Sequence, residues 1–460
     1  MHMKFSQIHL QLVRAGALGL GLLAAAQALA AVPAEQVARL GKDLTPVGAE
    51  TAGNADGSIP AWTGGLAKDA GSRDADGFLS DPFAADQPLF TITAQNAEQY
   101  KDKLTPGQLA LFKRYPQSYR IPVYPTRRSV TMPKQYLDIS RLNAADTQLA
   151  EGGNGLQNYR SGGLPFSVPQ SGLEVVWNHI GRYRGLSFQR MVVQASPQTN
   201  GAFTPSLIKQ QLAYPVGLSD YAPAEMANLL YMYREEFLAP ARLAGGVLLV
   251  HETINQVKEP RMAWQYNAGQ RRVRRAPQIA YDSPGAEGMR TMDDFDMFNG
   301  SPDRFDWQLV GKKEIYIPYN SYKLSSPKLK YSDIIKPGHL NPEHTRYELH
   351  RVWHLTATLK PGQRHIYSRR DLFIDEDSWQ TAEADAYDGR GQLWRVSEGH
   401  ATFFYDQQTP QLSAETHYDV LSGRYAVGAL FNEQKNAYDF GVQYSRKQFT
   451  PSALRASGIR

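Results

Sequence analysis

The chain is expected to fold as a β-rich α+β protein: a large curved antiparallel sheet, a half-open barrel, covering a long helix and bound by an extended N-terminal wrap. Three observations lead there. Arg346 to Lys360 alternates throughout, with Tyr347, Leu349, Trp353, Leu355, Ala357 and Leu359 on one face. Arg346, Glu348, His350, His354, Thr356 and Thr358 take the other, and so long a period-two run suits a curved sheet better than a flat one. Residues 223–239 carry a helical stripe of Met226, Leu229, Leu230, Tyr233 and Phe237 between Pro223 and Pro240. After residue 360, strand-like runs are separated by turns such as Asp388-Gly-Arg-Gly391 and Ser422-Gly423, the spacing of a meander and not of βαβ units.

Residues 1–30 read as a secretory leader: Lys4 and Arg14, an apolar run from Ala15 to Ala26, and the A-x-A signature Ala28-Leu-Ala30. The run is too short to span a bilayer, so a periplasmic protein is expected. Residues 31–92 form the arm. Gly53-Asn-Ala-Asp-Gly57 and Ser72-Arg-Asp-Ala-Asp-Gly77 look like calcium loops, but the first and twelfth ligands of an EF-hand are wrong, which favours tight Asx turns. Trp62 is expected to plug the arm onto the body.

Residues 93–172 hold helices and a Pro/Gly-rich wrap. Thr93 with Asn96 starts one helix, and Thr105-Pro106-Gly-Gln108 is a capping box with proline at the first helical position. The sheet core occupies 173–460, with the helix at 223–239 inserted, and 31–460 is expected to be one unit. Within it, Met262, Trp264 and Tyr266 alternate toward Asn267-Ala-Gly269, read as a three-residue hairpin loop with Gly269 left-handed. The chain returns over Gln270 to Ala276, and Pro277 stops it. With Tyr266 opposite Gln270, Arg272 and Arg274 share the face of Trp264, while Arg271 and Arg275 take the other beside Val273. These arginines either pair with the acidic run Asp293, Asp294, Asp296, Asp303 and Asp306, the commoner arrangement, or hold anionic head groups by bidentate bonds.

Composition removes several classes. There is no cysteine, so disulfides, a lipidated N-terminal cysteine, thiolate zinc sites and thiol nucleophiles are out. A formal charge of +5 is mildly basic and does not point to nucleic acid. No phosphate-binding glycine loop and no G-x-S-x-G is present. His350 and His354 share a strand face that Glu348 could join around a metal; without H-E-x-x-H, a polar outer sheet face is the reading, and no metal ligand or cofactor is assigned. Asp375-Glu-Asp377, Glu383, Asp385 and Asp388 are read as turn residues and not as a catalytic carboxylate pair.

Several stretches are distinctive as motifs. They include Gly41-Lys-Asp-Leu-Thr-Pro-Val-Gly-Ala-Glu-Thr-Ala-Gly-Asn-Ala-Asp-Gly57, Pro60-Ala-Trp-Thr-Gly-Gly65, Tyr100-Lys-Asp-Lys-Leu-Thr-Pro-Gly-Gln108 and Glu151-Gly-Gly-Asn-Gly155. Further stretches are Gly269-Gln-Arg-Arg-Val-Arg-Arg-Ala-Pro277, Arg346-Tyr-Glu-Leu-His-Arg-Val-Trp353 and Asp375-Glu-Asp-Ser-Trp379. Together these stretches resemble the bacterial family carrying "domain of unknown function 1329", and the resemblance implies a fold like the lipoprotein carriers LolA and LolB, whose half-barrel holds acyl chains. It leads to a non-enzymatic periplasmic carrier of a lipid-like amphiphile, with Trp264, Tyr266, Trp307 and Trp353 lining the hollow and Arg272 and Arg274 anchoring an anionic head. The alternatives are an accessory that docks to an inner-membrane exporter or the outer-membrane surface, and a metal-dependent or serine hydrolase.

Overall fold

Sixteen strands join one open sheet in the computed structural model, which describes residues 32–276, 279 and 281–457. The leader expected over 1–30 and the strand stop expected at Pro277 lie outside these residues. In chain order the strands are β1 (Phe90–Ile92), β2 (Ile121–Val123), β3 (Ser187–Ala195), β4 (Ser206–Ala213), β5 (Leu229–Phe237) and β6 (Val247–Thr253). Then come β7 (Met262–Asn267), β8 (Arg272–Arg275), β9 (Phe305–Pro318), β10 (Tyr347–Leu359) and β11 (Arg369–Asp375). The last five are β12 (Thr381–Tyr387), β13 (Leu393–Phe404), β14 (Thr409–Asp419), β15 (Arg424–Leu430) and β16 (Tyr438–Phe440). The hydrogen-bonded path runs β1-β2-β10-β11-β12-β13-β14-β15-β3-β4-β5-β6-β7-β8, with β9 on β10 and β16 on β3. All pairings are antiparallel except the contact between β2 and β10. Register shifts at Leu309/Gly311, Phe373/Ile374, Ala386/Tyr387 and His400/Ala401 bend the strands, as bulges do, and the sheet stays open because β1 and β8 do not meet.

Among the described residues four α-helices of seven or more residues accompany it: α1 (Pro106–Arg114), α2 (Lys134–Asp146), α3 (Gly172–Gly181) and α4 (Pro451–Ser457). The box at α1 is as expected: Gln108 N–H donates to Thr105 Oγ1 at 3.0 Å and Thr105 N–H to Gln108 Oε1 at 3.0 Å. Thr105→Ala is expected to cost about 1 kcal/mol, read as a lower urea midpoint at unchanged slope. The Thr93–Asn96 start leads into a 3-10 turn, Ala97–Lys103. The supposed calcium loops are Asx turns: Asn54 Oδ1 accepts from Ile59 N–H, and Asp74 Oδ1 from Asp76 and Phe78 N–H.

The sheet does cover a helix, but it is α3 and not 223–239. Residues 229–237 are β5, in register with β4 and β6. The misleading stripe has a physical origin. Tyr231 and Tyr233 pack into the cluster around α3, while Met232 packs into the one under α4, so both faces are buried. With a register shift at Leu229/Tyr231, apolar residues on both faces spell a helical spacing. The converse holds at α3, whose every residue except Leu173 is buried. An apolar, β-branched helix has no polar face to reveal its period. Its signal was the cap, Ser171 Oγ accepting from Glu174 N–H.

The hollow is occupied by the chain itself. Val175, Val176, Trp177 and Ile180 of α3 pack with Phe188, Tyr231, Ile315, Leu355, Phe373 and Trp379 in one cluster. Cavities beside the sheet, lined in one case by Ser129, Tyr319 and Phe403 and in another by Arg190, Glu235 and His417, measure about 10 and 30 Å3, the size of single waters. An open greasy trough is thus not what the sheet encloses in this conformation.

Candidate functional site

The six expected lining and anchoring residues fall into separate places. Trp264 and Tyr266 lie on the face under α4, with Val247, Leu249, Phe449 and Leu454, and so turn away from α3. Trp307 belongs to the core around α3, its indole N–H donating to Pro302 O at 2.9 Å. Arg272 and Arg274 are exposed on the edge strand β8. The expected sharing of faces is overturned, because Tyr266 pairs with Val273 and Trp264 with Arg275. The loop is four residues, Ala268–Arg271, with Arg271 at φ 51° and Asn267 Oδ1 accepting from Gln270 N–H. A changed loop length flips which side chains share a face. Arg275 therefore sits 5.1 Å over the Trp264 ring, and Arg272 and Arg274 point to the opposite side.

The acidic run serves other arginines. Asp293 pairs with Arg370 at 2.8 Å, and Asp296 with Arg182 at 2.5 Å and Arg184 at 2.6 Å. The reading of Glu348 and His350 as an outer sheet face also fails: both are buried, Glu348 fully. His354 does not join them but stacks on Phe373 at 4.6 Å. Glu376, Asp377 and Asp388 lie at turns as expected, whereas Asp375 closes β11, accepting from Ser378 N–H, and Glu383 and Asp385 are buried within β12.

Trp353 is different, because it stands where four of the stretches carrying the family resemblance converge. The arm at 41–62, residues 127–130, β10 and the turn between β11 and β12 meet there. Trp379, at φ 61° in that turn, donates its indole N–H to Val47 O at 3.0 Å and stacks on Trp353 at 5.9 Å. Trp62, half-buried, donates to Val130 O at 3.0 Å, plugging the arm as expected. Arg128 holds Asp377 in a bidentate pair, Nε donating to Oδ2 at 2.9 Å and Nη2 to Oδ1 at 2.7 Å. Arg351 reaches Glu376 at 3.2 Å and Ala52 O at 2.9 Å, and Lys312 reaches Glu376 at 2.7 Å and Glu50 at 3.0 Å. Burial and the neighbouring Asp377 raise the carboxyls of Asp375 and Glu376. Burial would raise Glu348 too, but His350 and Arg346 outweigh it and hold it low.

On the outer side of this junction opens a cleft of about 370 Å3, lined by the arm (Arg39, Leu44, Glu50), by Val168 and Pro169, and by Lys312 and Trp353. The Lys312 ammonium lies 4.7 Å from the Trp353 ring. Two buried polar atoms at its wall, Trp353 Nε1 and Ser167 Oγ, have no hydrogen-bond partner among the described residues. Of these residues only Trp353 was expected. The rest are ordinary surface types in sequence and become a site only when the arm folds back.

A serine–histidine–carboxylate alignment also exists: Ser397 Oγ lies 2.8 Å from His417 Nδ1, and His417 Nε2 3.0 Å from Glu415. It is a cross-strand polar ladder between β13 and β14. The adjoining space of about 30 Å3 does not admit an ester or amide substrate.

Among the described residues, no helix is long and apolar enough to cross a membrane. Comparison with known proteins places the chain among relatives. It is 61% identical over 451 residues to an uncharacterized protein of Pseudomonas aeruginosa, covering 98% of this chain and 99% of that one. Among solved structures it is similar to a domain from Vibrio parahaemolyticus described as outer membrane lipoprotein-sorting, with TM-score 0.42, 12% identity, and coverage of 61% of this chain and 97% of that one. It is also similar to a LolA superfamily protein from Nitrosomonas europaea, with TM-score 0.38, 13% identity, and coverage of 61% and 98%. The family model described as "Protein of unknown function (DUF1329)" matches residues 91–455, and with that match and the Pseudomonas relative the chain belongs to the DUF1329 family.

Proposed function

We propose that this protein is a non-enzymatic binding protein of the periplasm for a lipid-like amphiphile, and that it takes its ligand in the cleft under the N-terminal arm. The observation that carries this reading is the cleft at Trp353. Its volume of about 370 Å3 falls among ligand pockets, and its Trp353, Leu44, Val168 and Pro169 offer an apolar bed. Arg39 and Lys312 suit an anionic head. Arg39 is paired only with exposed partners, Asp43 at 2.8 Å and Gln36, contacts weak enough to be exchanged for a ligand. The placement in the periplasm rests on the leader expected over 1–30.

The test is binding of a fluorescent fatty acid, followed by probe emission and by native mass spectrometry. Trp353→Ala is expected to weaken uptake at least tenfold with an unchanged circular dichroism spectrum, and Trp264→Ala, on the other face, to leave it unchanged. Failure of the unmodified protein to take up the probe would remove the proposal.

A second reading has its own observation. The edge strand β8 and its turn present Arg271, Arg272, Arg274 and Arg275 exposed, a cationic edge fit to dock on an anionic outer-membrane leaflet or an exporter. Sedimentation with phosphatidylglycerol vesicles, lost in the R272E/R274E double variant, would favour it.

A further inference from the structure

We propose that His350, Asp375 and Asp377 form a binding site for one divalent transition-metal ion, buried where β10 passes the turn between β11 and β12. The site is separate from the amphiphile cleft and stands on its own observations.

One donor atom from each of the three residues lies within 4.8 Å of the others, and all three side chains are buried. Three donors on one ion at about 2.0–2.2 Å lie roughly 3.3–3.8 Å apart, so the set needs to close by about 1 Å, within reach of side-chain rotation. The second observation is an orphaned acceptor. Asp375 Oδ2 accepts from Ser378 N–H at 2.9 Å, Ser378 Oγ–H at 2.5 Å and Tyr319 O–H at 3.2 Å, whereas Asp375 Oδ1 is buried with no partner. A bare carboxylate oxygen inside a protein needs a compensating cation or proton.

His350 is prepared for the role. Its Nε2 lies 3.1 Å from Glu348 Oε2, and Glu348 is held as a carboxylate by donations from Arg346, Asn320 Nδ2 and the Arg127 N–H. Nε2 therefore carries the proton and Nδ1 keeps its lone pair, the carboxylate–histidine arrangement that orients metal ligands. Asp377 gives each oxygen to an Arg128 N–H yet retains a lone pair on each.

Charge argues the same way. With Asp86 set aside as the partner of Arg127, the cations Arg128, Arg346, Arg351 and Lys312 face six carboxylates: Glu50, Glu314, Glu348, Asp375, Glu376 and Asp377. Counted as carboxylates, the six leave two negative charges over, which one divalent ion would neutralise. A set of one imidazole and two carboxylates, with no thiolate, suits Zn2+, Mn2+ or Fe2+ better than Ca2+, which takes six to eight oxygens. The ion would brace the turn whose Glu376, Asp377 and Trp379 hold the arm.

Elemental analysis of the full chain, purified without chelator and then incubated with Zn2+ or Mn2+ and desalted, is expected to give one ion per chain. EDTA should lower the Tm, and the same ion should restore it. Asp375→Asn should lower the stoichiometry at least tenfold, and His354→Ala, outside the set, should keep the full ion. Should Asp375→Asn not fold, His350→Gln takes its place. Less than a tenth of an ion per chain after incubation, or a full ion retained by Asp375→Asn or His350→Gln, would overturn the site.

Discussion

Replacing Asp296 by alanine is expected to destabilise the fold by about 3–5 kcal/mol, the cost of stranding buried partners of a broken ion pair. Its carboxylate is shared by Arg182 and Arg184, whose side chains are only 3% and 6% exposed. Arg182 also donates to Gln380 Oε1 at 2.6 Å and to His179 O at 2.7 Å. The Asp296 carbonyl in turn accepts from His179 Nε2 at 3.1 Å, while Thr381 N–H donates to the Nδ1 of that ring. One residue thus ties the end of α3, the approach to β3 and the entry to β12 together. Burial alone would raise this carboxyl, but Arg182 and Arg184 outweigh it and hold it at about 2. The sign follows: its contribution is complete above the unfolded value near 4 and is lost as pH falls through about 2. Asp296→Asn keeps an acceptor and tolerates the φ of 58°, so it should cost less, and its own cost relative to the unmodified protein measures the charge. An unfolding free energy from urea for Asp296→Ala within about 1 kcal/mol of the unmodified protein would show that this ion triad does not hold the three elements together.

What could be read beforehand divides by range. The α1 box, the Asx turns at Asn54 and Asp74 and the long alternation of β10 are set by residues a few positions apart, and all are found. The face of Arg272 and Arg274 depended on a single residue of loop length, and Arg271 took the left-handed position that Gly269 was expected to fill. β5 and α3 were exchanged in kind because each is buried on all sides, so the contrast between wet and dry faces that reveals a period is missing. The candidate site was least legible. Glu50, Arg128, His350 and Glu376 are ordinary charged residues until the arm, β2, β10 and the β11–β12 turn are brought together, and no local pattern encodes that meeting. Strand alternation had put His350 on a solvated face; the Tyr319 ring, 3.9 Å away, and the carboxylates of the β11–β12 turn are what lie against it.

Asp385→Asn is expected to stabilise the protein at pH 8, on the order of 2 kcal/mol, although it removes a charged acceptor from the core. Asp385 sits in β12 beneath α1, fully buried, with Oδ2 accepting from Gly107 N–H at 2.9 Å and Oδ1 unpartnered. Gly107 has no room for a side chain, since a Cβ there would lie 2.0 Å from that free oxygen, so the helix presses onto the carboxyl. Burial, with Asp371 and Glu398 nearby, outweighs the Gly107 N–H and Arg369 and pushes the carboxyl up to about 7. An unfolded chain loses this proton near pH 4, so between about 4 and 7 the folded state binds more protons and stability falls as pH rises. Above about 7 the cost is complete and constant. Asparagine cannot ionise and should erase that slope while still accepting from Gly107. Buried His179 and His400, both lowered to about 3 chiefly by burial, act in the opposite direction, costing stability as pH drops from about 6.5 toward 3. They are common to both proteins and cancel in the difference. Urea unfolding of the pair at pH 5 and pH 8 should therefore show Asp385→Asn gaining on the unmodified chain only at the higher pH. An equal effect at both would mean that the carboxyl titrates as an ordinary aspartate and that α1 does not seal it from water.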